Sequence, residues 1–363
     1  MSPKGTDARR HAVVLAGGRG VRFWPRSRVA RPKQMLDPLG GGTLLRQTAN
    51  RLRGIFPPER IWVLTSEHLR EGVARELPEV APERIIAEPA RRNTAPSIGL
   101  AAALLLRDDP DAVMGVFPAD HYVENERTYA GLLERALAAA SGEDLIVLGV
   151  KPRWPETGYG YIEFPKGTRP GQQVPSRVVS FREKPSLEKA RRFVSDGCFY
   201  WNSGQFCWKA SVFAEQMAEH LPGTWKVLAD IAGSAPSEFR TRLEESYGAC
   251  QDISVDSGIL ERSSRVSGFA APDFGWTDLG SWDALHALLP KDSDGNCART
   301  PGTFVNATGN YVDAPGKHVA LLGVDDLIVV ETTDALLVCR RDGSQAVGAV
   351  VDALRDGGRD DLL

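Results

Sequence analysis

The chain has 363 residues, room for one large domain or two unequal ones, and 42% of them are hydrophobic, so it can bury a sizeable core. Its formal net charge of −3 excludes a general polyanion binder, so no nucleic-acid partner is expected. The five cysteines are scattered without a C-x-x-C pair, and no apolar run approaches the ~20 residues of a membrane span or forms a leader behind MSPKGTDARRH, which leaves a reduced, cytoplasmic protein with no membrane partner.

The first predicted element is a buried strand, His11–Leu15, that runs straight into Ala16, Gly17, Gly18, Arg19 and Gly20. Glycines let the backbone turn sharply and present bare N–H groups to an anion. Behind them Arg19, Arg22, Arg26, Arg28, Arg31 and Lys33 form a cluster of one sign with no acid among them. Backbone donors and mobile cations together suit a triphosphate. The string is neither a P-loop nor a dinucleotide fingerprint, because no G-x-x-x-x-G-K-[ST] occurs and Trp24-Pro25 stands where a helix should open. A tight turn with solvated arginines is the plain alternative.

Further strands are predicted at Ile61–Thr65, Arg84–Ala87, Ala112–Phe117 and Leu145–Val150, and helices at Thr43–Arg53, Glu67–Leu77, Ala95–Arg107 and Arg127–Ala140. This alternation predicts an α/β fold with a Rossmann-like, mostly parallel sheet covered by helices. Ligands of such sheets sit at the carboxyl ends of the strands. The glycine loop leaves there, and so does Asp120 in FPADH, a carboxylate placed for a divalent metal or for a cap. In EPARRNTAP, Asn93 or Thr94 can cap the helix that Ala95 opens, and Glu88 stands where it can read a base edge.

From about residue 151 the pattern becomes that of an insertion and lid, with strands at Tyr159–Phe164 and Arg177–Phe181 and helices at Leu187–Ser195 and Ser211–His220. Gly160 in ETGYGYIEF, Glu183 and Lys184 in FREKPS and Asn202 in YWNSGQFCW mix carboxylate, amide and bare backbone as a sugar site requires. Each string also reads as a β-turn or hairpin, and Trp201, Phe206 and Trp208 read as core. Asp278 in FGWTDLGSWDAL is a second metal candidate or a cap. Mg²⁺ takes one or two carboxylates and completes its shell with phosphate oxygens and water. After about residue 290, Asn306, Gly309, Asn310 and Gly316 mark turns between short strands such as Leu327–Glu331, which predicts a small β-rich unit over residues 291–363. Its repeats are too weak in sequence to define a solenoid.

In their order, LAGGRGVRFWPRSR with PKQ, EPARRNTAP, FPADH, ETGYGYI, EKP, WNSG and WTDLGSWDAL resemble the sugar-1-phosphate nucleotidyltransferases, and within them the guanylyl branch acting on mannose 1-phosphate. The resemblance covers roughly residues 11 to 290. It implies a nucleotidyltransferase domain over residues 1–290, with a nucleotide-binding core at about 11–150 and a sugar-binding and lid part at about 151–290. It also implies Mg²⁺-dependent guanylyl transfer from GTP to mannose 1-phosphate, giving GDP-mannose and pyrophosphate. Arg22 and Lys33 would then be catalytic. Ala16, Gly17, Gly18, Arg19, Gly20, Glu88, Asn93, Thr94, Ala95 and Asp120 would bind nucleotide. Gly160, Glu183, Lys184, Asn202 and Asp256 would bind sugar, and Asp120 and Asp278 the metal. The chain departs from the family at Arg19, Val21, Phe23, Ser257 and Gly258, and its length leaves no room for the isomerase domain of some longer members. Two alternatives stand beside this reading: a related enzyme using another sugar 1-phosphate or nucleotide, and a non-catalytic regulatory subunit. The β-rich tail is compatible with a homodimer contact.

Overall fold

A computed structural model describes residues 9–18 and 20–363. The chain forms two compact units, neither continuous in sequence. The first comprises residues up to Gly17, Ala49–Ala119 and Val123–Trp276; the second comprises Gly18–Thr48, Asp120–Tyr122 and Thr277–Leu363.

The first unit is built on a ten-stranded sheet. Its strands are β1 (Arg10–Leu15), β2 (Ile61–Ser66), β3 (Ile85–Glu88), β4 (Val113–Pro118), β5 (Leu145–Val150), β6 (Tyr161–Glu163), β7 (Ser176–Arg177), β8 (Ser180–Arg182), β9 (Phe199–Lys209) and β10 (Val266–Ala270). The order is β3-β2-β1-β4-β9-β5-β10-β7, with β6 joining β9 to β8. Strands β3, β2, β1 and β4 run parallel, as do β5 and β10, while β9 is antiparallel to both of its main neighbours. The near-continuous burial of β1, β2, β4 and β5 is what a parallel sheet covered on both faces demands. One cover is the helix Thr94–Asp108, buried from Ala95 through Leu105 and packed on the helices Ala210–His220 and Pro222–Gly233. The fold class is as the sequence predicts.

Two readings of the middle of the chain need correction. The single strand expected at Arg177–Phe181 is two short strands, β7 and β8. The turn or hairpin read in YWNSGQFCW is the interior of β9, which pairs with β4, β5 and β6. The polar run Asn202-Ser203-Gly204-Gln205 has real turn chemistry, with Gly204 at φ 67, but it is absorbed as a register shift between Asn202 and Phe206 within the β5 pairing. The core assignment of Trp201, Phe206 and Trp208 holds.

In the second unit six short strands follow: β11 (Cys297–Ala298), β12 (Gly302–Val305), β13 (Tyr311–Asp313), β14 (Val319–Leu322), β15 (Leu327–Glu331) and β16 (Leu336–Arg340). Strand β13 pairs in parallel with β11 and β15, and β12 pairs in parallel with β14, so successive coils stack as in a solenoid. Buried Asn310 stitches the coils. Its Nδ2 donates to Asn296 Oδ1 at 2.9 Å and to Val324 O at 3.1 Å, and its Oδ1 accepts from Leu327 N at 2.8 Å. The unit's core gathers Phe23, Trp24, Leu36, Trp282, Tyr311, Ile328 and Val347 from all along the chain. Among the described residues no helix is long and apolar enough to cross a membrane.

Candidate active site

Strands β1 and β4 are adjacent and parallel with Leu15 opposite Pro118, so the glycine loop and the Asp120 segment leave the sheet at one edge. Ala16 is buried and donates its N–H to Leu64 O at 2.8 Å, which fixes the start of the loop. A Cβ on Gly17 would lie 3.9 Å from Glu88 Oε2, whereas one on Gly18 would meet open space. Gly20 is the position that admits no other residue: it sits at φ 60, and a Cβ there would run into Lys33. The loop is tied to the PKQ turn behind it, since Gln34 Nε2 donates to Gly18 O at 3.1 Å and Ser27 Oγ to Gly20 O at 2.7 Å. Arg19 lies outside the described residues.

Within the second unit Lys33 is the focus. Its side chain is only 7% exposed, and its ammonium donates to Asp120 Oδ2 at 2.8 Å and to the backbone oxygen of Asp278. One cation thus joins the Asp120 carboxylate to the Asp278 backbone. Burial acts to raise the Asp120 pKa, but the charge of Lys33, helped by His121, outweighs it and holds the carboxyl below its ordinary value. His121 Nε2 is 3.9 Å from Asp120 Oδ1, a neighbour to which sequence reasoning assigned no role. Neither aspartate caps a helix: Asn125 caps Glu126–Ala139 and Ser281 caps Trp282–Leu288. The capping alternative is therefore removed. Among the described residues no three His, Cys, Asp or Glu side chains gather to hold a metal. Asp120 offers one hard carboxylate of the kind a divalent metal takes, and Asp278 meets the same ammonium through its backbone oxygen.

The cationic cluster divides its labour. Arg26 forms a fork on Asp313 at 3.0 and 2.7 Å, and Arg28 pairs with Asp334 at 2.8 Å. Those two guanidiniums hold C-terminal strands and turns rather than facing open solvent. Arg22 donates to Gln345 Oε1 at 2.6 Å. No pattern in the chain signals this amide partner, because the two residues lie far apart in sequence.

In the first unit Glu88 ends β3 and accepts hydrogen bonds from Ser97 Oγ and Tyr247 Oη. Burial raises its pKa against the opposing effect of those bonds and of Arg91. Asn93 caps the following helix, its Oδ1 accepting from Thr94 N at 2.9 Å, and it is exposed. Thr94 Oγ1 accepts from Val255 N at 2.9 Å, and fully buried Ala95 donates its N–H to Ile253 O at 3.1 Å. These two residues fasten the segment that carries Asp256.

The five predicted sugar residues converge there. Asn202 donates through Nδ2 to Asp256 Oδ1 at 2.8 Å and through its backbone N–H to Gly160 O at 2.8 Å. A Cβ on Gly160 would fall 2.5 Å from Glu183 Oε2 and 3.4 Å from Asn202 Cβ, so the close approach needs glycine. Lys184 Nζ lies 3.3 Å from Glu183 Oε1. Burial, reinforced by the charge of Glu183, pushes the Asp256 carboxyl up to about 7. The cluster offers hydroxyl-binding carboxylates, an amide and a cation in one place.

A nucleotidyl transferase family model matches residues 11–295, and a MannoseP isomerase/GMP-like beta-helix domain model matches residues 303–354. The mannose-1-phosphate guanylyltransferase of Escherichia coli strain K12 is 36% identical over 96% of this chain and 74% of its own. The alginate biosynthesis protein AlgA of Pseudomonas fluorescens is 35% identical over 96% of this chain and 72% of its own. A solved structure from Thermus thermophilus, described as a mannose-1-phosphate geranyltransferase, superposes with a TM-score of 0.84 at 35% identity, covering 96% of this chain and 99% of that one. Enzymes of this family act on a sugar 1-phosphate and a nucleoside triphosphate and generally use a divalent metal. With a family model over most of its length and relatives more than a third identical over nearly all of it, the chain belongs to the nucleotidyl transferase family.

Proposed function

We propose that the protein transfers a guanylyl group from GTP to mannose 1-phosphate, forming GDP-mannose and pyrophosphate. The observation that carries the reading is the buried Lys33 ammonium on Asp120 and Asp278, at the end of a glycine loop that admits no side chain at Gly20. A phosphate oxygen of the sugar phosphate attacks the α-phosphorus of GTP, and the bond from that phosphorus to the β-phosphate bridging oxygen breaks. The electron pair leaves with pyrophosphate, so no covalent enzyme intermediate is needed. Gly17, Gly18 and Gly20 present backbone donors to the phosphates. Lys33 and Arg22 stabilise the charge that builds on the departing pyrophosphate. Asp120 and Asp278 would hold Mg²⁺, which supplies Lewis-acid neutralisation of phosphate charge when bound. Asn93 and the Glu88 region accept the nucleoside, while Gly160, Glu183, Lys184, Asn202 and Asp256 hold the hexose. Five free cysteines fit a cytoplasmic protein.

The test is pyrophosphate release from the purified chain with GTP, Mg²⁺ and a panel of hexose 1-phosphates, repeated with EDTA. Release with mannose 1-phosphate that EDTA abolishes is the expected result. Release only with another sugar phosphate or nucleotide keeps the chemistry and replaces the substrate. Silence from protein that still binds GDP-mannose leaves a regulatory subunit.

A further inference from the structure

In the first unit Asp256–Leu260 forms a single π-helical turn, closed by the N–H of Glu261 donating to Asp256 O at 2.9 Å. In an α-helix, residues five apart stand about 140° apart around the axis, whereas a turn that closes on the fifth residue brings them nearly into line. Asp256 and Glu261, at the two ends of this turn, therefore reach the same neighbourhood. The Asp256 carboxylate takes the side-chain amide of Asn202. Glu261 Oε1 accepts the backbone N–H of Glu183 at 3.1 Å. Between them the turn is packed down on the core: Gly258, Ile259 and Leu260 are buried, and a Cβ on Gly258 would lie 3.1 Å from Leu221 Cδ1.

The Glu183 backbone needs such a hold. The next residue, Lys184, sits at φ 43 directly before Pro185, a left-handed conformation that residues other than glycine rarely adopt and that persists only where the surroundings enforce it. The charge of Glu183 also acts on Asp256, so the two acids repel, and nothing in their own chemistry keeps them at a set spacing. Glu261 is exposed, forms no ion pair among the described residues and spends its one side-chain hydrogen bond on Glu183 N. A third acid beside two others adds repulsion and contributes little stability at the surface, so its place is explained by what it holds. We propose that Glu261 is a positioning residue for the hexose: through the Glu183 backbone it sets where the Glu183 carboxylate stands over Gly160, while Asp256, at the other end of the same turn, sets Asn202. One turn of backbone then fixes the spacing of the two sugar-binding groups. The role rests on the reading of Glu183 and Asn202 as hexose contacts.

The test is steady-state kinetics of the full chain with GTP and mannose 1-phosphate varied in turn. Glu261→Ala should raise KM for mannose 1-phosphate about 10-fold, the scale of one hydrogen bond to a charged acceptor, and leave KM for GTP and the melting temperature unchanged. Glu261→Gln, which keeps an oxygen acceptor and loses the charge, should restore most of the wild-type KM. In a double-mutant cycle Glu183→Gln should add little to Glu261→Ala, because the two act on one contact. Equal rises in both KM values, a melting temperature that falls along with hexose affinity, or a glutamine variant as impaired as the alanine one overturns the placement role. Full additivity with Glu183→Gln overturns it as well. Wild-type protein that turns over no hexose 1-phosphate sinks the guanylyltransferase reading instead. Calorimetric titration of the same variants with GDP-mannose then decides: about 10-fold weaker binding by Glu261→Ala, regained in Glu261→Gln, upholds the placement, and an unchanged affinity overturns it.

Discussion

Lys33 carries its charge almost out of solvent, and the oxygens of Asp120 and Asp278 help to make that tolerable. Lys33→Ala therefore does two things. It removes a cation that meets developing pyrophosphate charge, so kcat should fall ~100-fold or more, the range for one lost transition-state contact. It also releases Asp120 from the charge that lowers its pKa, so the acid limb of the residual activity should move to higher pH. A turnover within a few-fold of wild type would remove Lys33 from the chemistry. Asp256 behaves in the opposite sense. With its pKa raised to about 7, the native state keeps a proton that the unfolded chain has already released. Between the ordinary carboxyl range and about 7 the folded state binds more protons, so stability falls as pH rises through that window. Melting temperature should decline from about pH 5 to about pH 8, and Asp256→Asn should flatten that decline. An unchanged slope in the variant would show that another group titrates there. These residues differ in how openly the sequence displayed them. Asp120, Asp278, Gly160, Glu183, Lys184 and Asn202 stood out as candidates because glycines and polar groups interrupt apolar runs there, whereas Asp256 came only with the family resemblance. Gln345 and Tyr247 were not, because a lone amide or phenol carries no pattern until the fold brings it to Arg22 or Glu88.

At the scale of elements, the strands β1, β2, β4 and β5 were readable as short apolar runs between amphipathic helices. Strand β9 was not, and the reason is physical. Its central Asn202-Ser203-Gly204-Gln205 has the composition of a turn, and the chain uses it as a bulge that brings Asn202 to Asp256 while keeping both flanks paired. Composition alone does not separate a turn that reverses the chain from one that only bends it. The C-terminal coils hid for a different reason. Their strands are too short for a two-residue period to stand out, and the order comes from stacking rather than from any single strand. Asn310 shows the dependence. It is fully buried and satisfies Asn296 Oδ1, Val324 O and Leu327 N together. Asn310→Ala strands those groups at about 1–3 kcal/mol for each left unsatisfied. An unfolding free energy from urea titration lowered by at least about 2 kcal/mol at unchanged slope is expected. A loss under about half that would mean the coils close up around the gap.

At the scale of the whole molecule, the shift in composition suggested a boundary near residue 290, yet residues 18–48 fold with residues 277–363. The loop that bears Arg22 is held by partners from the far end of the chain. Trp24 Nε1 donates to Leu362 O at 2.9 Å, Arg26 grips Asp313, Arg28 grips Asp334, and Arg22 meets Gln345. Cutting the chain after Pro290 leaves every proposed catalytic, sugar and metal residue in the polypeptide and removes all four anchors. The ten-stranded sheet keeps its strands, since the last of them ends at Ala270. The shortened chain should therefore keep the circular dichroism of a folded α/β protein while pyrophosphate release falls by ~100-fold or more, because placement of the reacting groups, not their identity, is what has been lost. Residues 291–363 supplied as a separate polypeptide should recover part of that rate. Full activity in the shortened chain would show that the loop holds its own conformation, and the C-terminal coils would then need another reason to carry four partners for it.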